Sequence, residues 1–147
     1  MTLNDEYYMR KALVEAQRAW DAEEVPVGAV IVCRDEIIGR AFNLVETLKD
    51  ATAHAEMQAI TSASQKLGGK YLHDCTLYVT VEPCPMCATA LGWSQIGRIV
   101  YGTADEKRGY HILAPHVLHP RTTVTTGILE DECRNLMQAF FRKRRRR

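Results

Sequence analysis

"CTLYVTVEPCPMCATALGWSQIGRIVYG", residues 75–102, decides the fold. "CTLYVTVEP" is dense in β-branched and aromatic residues and is bounded by Pro83, the signature of a strand. "CPMCATALGWSQI" then reads as a helix, with Pro85 tolerated in its first turn, and "RIVYG" as a second short strand. A strand, a helix and a strand around residues 75–101 imply a parallel pair joined by a right-handed crossover.

Working outward, residues 5–22 read as a helix in which Tyr8, Leu13, Ala16 and Trp20 recur at helical spacing, with Asp5 as its cap. "VPVGAVIVC" is a strand, "RDE" turns it, and "IIGRAFN" is its antiparallel partner. A loop follows to about Thr52, then a helix from about Ala53 to Leu67 that Gly68 and Gly69 stop. Residues 103–122 read as a loop or broken helix, and "TTVTTGIL" holds the last strand. "EDECRNLMQAFFRKR" forms a C-terminal helix with Cys133, Leu136, Met137, Phe140 and Phe141 on one apolar face. The order α-β-β-α-β-α-β-loop-β-α predicts a three-layer α/β/α domain around one five-stranded mixed sheet. It would occupy residues 1–147 as a single domain, with a basic helix and tail from about 129 to 147.

Composition agrees with a globular chain. Of 147 residues, 46% are hydrophobic and 25% charged, and no apolar run reaches the length of a membrane span. The N-terminal "MTLNDEYYMRKAL" has no apolar signal core, so a cytoplasmic location is expected. Five cysteines without a secretory signal do not suggest a disulfide framework. Cys33, Cys75 and Cys133 lie among apolar neighbours and read as core thiols, leaving Cys84 and Cys87 as a C-x-x-C pair. The net charge of +1 is unevenly placed: "RKRRRR" at 142–147 carries +6, and +1 less +6 leaves −5 for residues 1–141. An acidic body with a basic tail suggests a polyanionic partner, nucleic acid first, against the plainer reading of a solvated terminus.

"TAHAEMQAI", residues 52–60, places His54 and Glu56 at the head of a helix anchored by Met57, Ala59 and Ile60. Thr52 as a cap with two solvated charges would be the bland account. The pair Cys84 and Cys87 sits at the head of another helix, and if the two helices pack side by side their N-termini meet. One imidazole and two thiolates suit tetrahedral zinc, and three protein ligands leave the fourth corner for water or hydroxide. Helix N-termini favour the thiolate forms. Glu56 reaches the same point without being a ligand, as a proton shuttle would. Other readings stay open here. A redox dithiol leaves His54 and Glu56 unexplained, a structural zinc would recruit His73 or Cys75 as a fourth ligand, and the site could hold no metal.

"HAE" followed by "PCPMC" resembles the H-x-E…P-C-x-x-C signature of the zinc-dependent cytidine deaminase superfamily. "EVPVGAV", Asn43, "TAHAE", "TLYVTVEPC", "IGRIVYG" and "FFRKR" extend the likeness from about Tyr7 to Arg144, towards the bacterial tRNA-specific adenosine deaminases. That resemblance implies a cytidine-deaminase-like fold and one Zn²⁺ per chain held by His54, Cys84 and Cys87, with Glu56 as general acid/base. It implies that Asn43 contacts the purine ring, that Asp105 and Lys107 lie near the RNA backbone and ribose, and that Phe141 and Arg142 lie against the anticodon loop. The implied activity is deamination of adenosine to inosine at the wobble position of a tRNA anticodon stem-loop, by a homodimer. "CPMC" and "GWSQ" also resemble guanine deaminases, so a guanine or free-nucleoside deaminase is the alternative, and a non-catalytic zinc-stabilised RNA-binding module a second one. A free-base enzyme has no use for a polybasic tail. His73, His111, His116 and His119 read as surface or loop residues, and Trp20, Trp93, Tyr78 and Met86 as core or interface.

Overall fold

A computed structural model describes residues 4–145. In chain order its elements are α1 (Asp5–Asp21), β1 (Gly28–Cys33), β2 (Glu36–Phe42), α2 (Val45–Leu48), α3 (Ala55–Leu67), β3 (Cys75–Val81), α4 (Pro85–Ser94), β4 (Arg98–Thr103), α5 (Tyr110–Leu113), β5 (Thr123–Thr126) and α6 (Glu130–Arg145). The five strands form one sheet in the order β2-β1-β3-β4-β5. β1 pairs antiparallel with both β2 and β3, whereas β3–β4 and β4–β5 are parallel. The mixed sheet and the crossover through α4 are those predicted. Arg146 and Arg147 of the expected tail lie outside the described residues.

Side chains alternate across the sheet and define the two outer layers. Ala29, Ile31, Leu77, Val79 and Ile99 face α3 and α4, where Ala55, Ala59, Ala63, Ala88 and Leu91 meet them. Val30, Val32, Tyr78 and Val100 face the opposite way, onto Tyr8, Met9 and Ala12 of α1 and Cys133 of α6. Every residue of β1 is buried, as a strand covered on both faces should be. The close seat of α1 depends on Gly28: a Cβ there would land on the Ala12 carbonyl and the Ala16 amide.

The structure corrects several local expectations. The cap of α1 is Asn4, whose side chain accepts from the Tyr7 amide at 2.9 Å. Asp5 is instead spent on Arg98, at 2.7 and 2.8 Å, and on the Tyr78 hydroxyl. Strand β1 begins at Gly28 rather than Val25. Thr52 does not cap α3, because its hydroxyl donates to Asp50 and the N-cap position falls to His54. The segment 44–52, expected as plain loop, contains the single-turn α2, whereas residues 103–122, read as a loop or broken helix, do contain a single turn, α5. Trp93 is no core residue, being 80% exposed.

Candidate metal centre and active site

The site forms where two helices start beside each other, next to the carboxyl end of β3. His54 is the N-cap of α3 and Cys84 the N-cap of α4, both in extended backbone conformation. Neither side chain caps its own helix, which leaves both free to turn towards the other. Cys87, one turn into α4, completes the group and is fully buried. The Nδ1 atom of His54 lies 3.6 Å from Cys84 Sγ and 3.5 Å from Cys87 Sγ. All three donor atoms fall within 4.8 Å of one another. Zinc bonds of ~2.3 Å to sulfur and ~2.0–2.1 Å to nitrogen at tetrahedral angles put neighbouring N and S ligands about 3.6 Å apart. The donor set and its spacing therefore fit tetrahedral zinc.

The electrostatics fit as well. The hydrogen bond from Cys87 holds the Cys84 thiol down at about 4, with His54 adding to the effect, while the same bond and burial push Cys87 well up. Without metal the two sulfurs share one proton, a readily ionised pair. The hydrogen bond to Cys84 raises the His54 imidazole. Glu56, 4% exposed, has its carboxyl pushed up to about 7, chiefly by burial. Among the described residues no fourth metal donor joins this group. His73 is bonded to Gln95 and stacked on Tyr71, and Cys75 pairs with Cys33 across β1 and β3, so neither supplies the corner that a structural zinc would need.

A cleft of about 1180 Å³ opens above the group, and the remaining sequence-predicted residues line it: Asn43, Asp105, Lys107, Phe141 and Arg142, together with His54, Glu56 and Cys84. Arg108, Arg144 and Arg145 extend the cationic rim. Asn43 is buried just after β2, its backbone N–H donating to the Val27 carbonyl at 3.1 Å. The basic end of α6 is pinned to α1, with Trp20 edge-on to Phe140 at 5.6 Å and Lys143 over the Trp20 ring.

Residues 2–103 match the cytidine and deoxycytidylate deaminase zinc-binding region. The chain belongs to this deaminase family. It is 44% identical to the tRNA-specific adenosine deaminase of Bacillus subtilis, over 97% of this chain and 92% of that one. It is also 44% identical to the chloroplastic tRNA(adenine(34)) deaminase of Arabidopsis thaliana over 95% of its own length, although it spans only 12% of that longer protein. A solved structure from work on A-to-I editing by tRNA:A34 deaminases superposes with a TM-score of 0.82 at 39% identity, covering 88% of this chain and 98% of that one. A guanine deaminase from Nitrosomonas europaea superposes with a TM-score of 0.83 at 26% identity, covering 95% and 86%. The fold is thus the cytidine-deaminase-like one, and the comparisons add weight to zinc as the metal.

Two buried carboxylates that line the cleft escaped the sequence reading. Glu24 accepts from the Glu46 and Thr47 amides at 3.0 and 2.6 Å and from the Thr47 hydroxyl at 2.6 Å, which ties down α2 just after Asn43. Burial alone would raise its carboxyl, but the bonds from Thr47 and the two amides outweigh that and hold it low. Glu82 binds the far wall of the cleft through Asp105 and His111. His111, read as a plain loop residue, is its ion-pair partner, and Glu82 raises the imidazole. The available signal was a glutamate embedded in an apolar run, "VTVEP" for Glu82, with no exposed face to serve.

Proposed function

We propose that this protein hydrolyses adenosine to inosine at the wobble position of a tRNA anticodon. One observation carries the reading: a buried carboxyl, Glu56, stands beside the His54, Cys84 and Cys87 group on the floor of a cleft whose rim holds Lys107, Arg108, Arg142, Arg144 and Arg145. The cationic rim of the cleft favours a polynucleotide over a free base. The target base must leave its stack to reach the floor, so a loop or single strand is the substrate.

His54, Cys84 and Cys87 would hold the zinc. When bound, zinc supplies the Lewis acidity that makes a water nucleophilic near neutral pH. Glu56 takes a proton from the attacking water and delivers it to N1, which makes C6 electrophilic. Oxygen bonds to C6; Glu56, ionised again, then takes the remaining proton from that oxygen and hands it to the amino group, so that the C6–N6 bond breaks as the C6=O bond forms and ammonia leaves. A carboxyl near 7 suits both halves of that exchange. Asn43 presents its amide to the purine edge, Asp105 and Lys107 meet the ribose and backbone, and Phe141 and Arg142 lie against the anticodon loop. The cations position phosphates without reading sequence.

The chain works in the cytoplasm as one domain over residues 1–147, and as a homodimer. The exposed Trp93, with Ile112 and Leu113 on the adjoining α5, supports the dimer as an apolar surface that a second copy would cover.

The deciding experiment incubates the zinc-loaded protein separately with a tRNA anticodon stem-loop, adenosine, cytidine and guanine, and measures ammonia and inosine. Turnover on the stem-loop alone is expected. The likeness to a guanine deaminase favours a second reading, which turnover on guanine would establish. RNA binding with silence on all four substrates would leave a non-catalytic module.

A further inference from the structure

We propose that Glu82 is a positioning residue that builds the substrate-facing loop 104–110 around its own carboxylate. Glu82 ends the run of β3 two residues before Cys84, and its side chain is fully buried. Its Oε1 accepts from the Asp105 amide at 3.0 Å. Its Oε2 accepts from the His111 amide at 3.0 Å and shares a hydrogen bond with the His111 ring at Nδ1. The loop thus begins and ends on one carboxylate. Between those ends, Asp105 accepts from the Lys107 and Arg108 amides at 3.0 and 2.9 Å, so the anchor sets the turn that carries both cations to the cleft. Gly109 lies against the carboxyl so tightly that a Cβ would overlap it. Backbone bonds tie the same two segments together, from Glu82 to the Thr103 carbonyl and from Tyr110 to the Pro83 carbonyl. A carboxyl group offers an acceptor oxygen to each of the two backbone amides, Asp105 and His111. A neutral isostere would turn an N–H towards one of the two, leaving a buried donor unpaired.

The role in substrate binding rests on the reading of the cleft as an RNA site, and the test separates the two. Glu82→Gln and Gly109→Ala attack the contact from opposite sides, the second far in sequence from the zinc ligands. Zinc content, KM and kcat on the anticodon stem-loop, and hydrogen exchange of the Asp105 and His111 amides are measured for each. Both variants should keep one zinc per chain and raise KM about tenfold or more with little change in kcat. Both should also lose protection at the two amides. A general loss of structure would lower kcat and zinc with KM, whereas a loop effect moves KM alone. Retained protection with unchanged KM in both variants overturns the proposal, as does zinc loss in Glu82→Gln beside a silent Gly109→Ala. If the wild type does not turn over the stem-loop, the RNA reading fails. The amide exchange then still decides whether Glu82 holds the loop.

Discussion

His54 Nδ1 lies 3.5 Å from Cys87 Sγ, although the two residues are 33 positions apart and belong to different helices. The contact requires α3 and α4 to start at the same end of the sheet, and their shared apolar packing enforces it. Removing either partner should therefore remove the metal without removing the fold. For His54→Ala and Cys87→Ala, zinc measured by elemental analysis should drop well below one per chain while the far-ultraviolet dichroism stays native. Full occupancy in either variant would refute the ligand assignment. Chelation of the wild type should lower Tm, because an ion that binds only the folded state stabilises it by mass action.

Glu56 stands on the same helix start and should behave oppositely. Glu56→Ala is expected to keep its zinc and lose about 10²–10⁴-fold in turnover, the usual worth of a positioned proton carrier. The check pairs single-turnover rates with zinc stoichiometry. Loss of both together would make Glu56 a ligand or a structural group.

The cations on α6 predict a salt effect. Arg142, Arg144 and Arg145 all line the cleft. Replacing the three with glutamine should weaken stem-loop binding and flatten the dependence of log Kd on log salt, by about 0.7 for each single-strand phosphate contact removed. Deleting residues 142–147 should flatten it further. An unchanged slope in both would take the tail out of the RNA footprint.

Asp5 predicts a pH effect on stability. The Arg98 guanidinium, with help from the Tyr78 hydroxyl, holds the Asp5 carboxyl below its ordinary value. A group depressed on folding stabilises above its unfolded pKa, and that stability is lost as pH falls below it. Asp5→Asn should therefore cost about 1–2 kcal/mol at pH 7, as charge-assisted bonds at a partly exposed site do. The gap between wild type and variant in denaturant titrations should close between about pH 4 and pH 2, since a free carboxyl ionises near 3.9. A gap that stays constant across that range would mean the carboxylate's charge contributes nothing.

Much of this was legible in the chain. The β-branched and aromatic runs "VPVGAVIVC", "CTLYVTVEP" and "RIVYG", and the helical segments between them, pointed to the layers, because a strand covered on both faces is apolar along its whole length. His54, Cys84 and Cys87 were legible as a donor set because one imidazole and two thiols suit zinc, and the resemblance to the H-x-E…P-C-x-x-C signature singled out that set and implied the role of Glu56. The cap of α1 was misread because Asn4 and Asp5 are both good caps, and only the distant Arg98 claims one of them. Glu24 and Glu82 were missed for a related reason, although the apolar run around Glu82 hinted at burial. A glutamate in sequence is a solvated charge by default, and nothing local tells that Thr47, Asp105 and His111 will bring their donors to it. Local periodicity and residue chemistry indicated the elements and the candidate metal donors. Which carboxylates became buried anchors was decided by loops that meet only in the folded chain, where desolvation makes each missing donor costly.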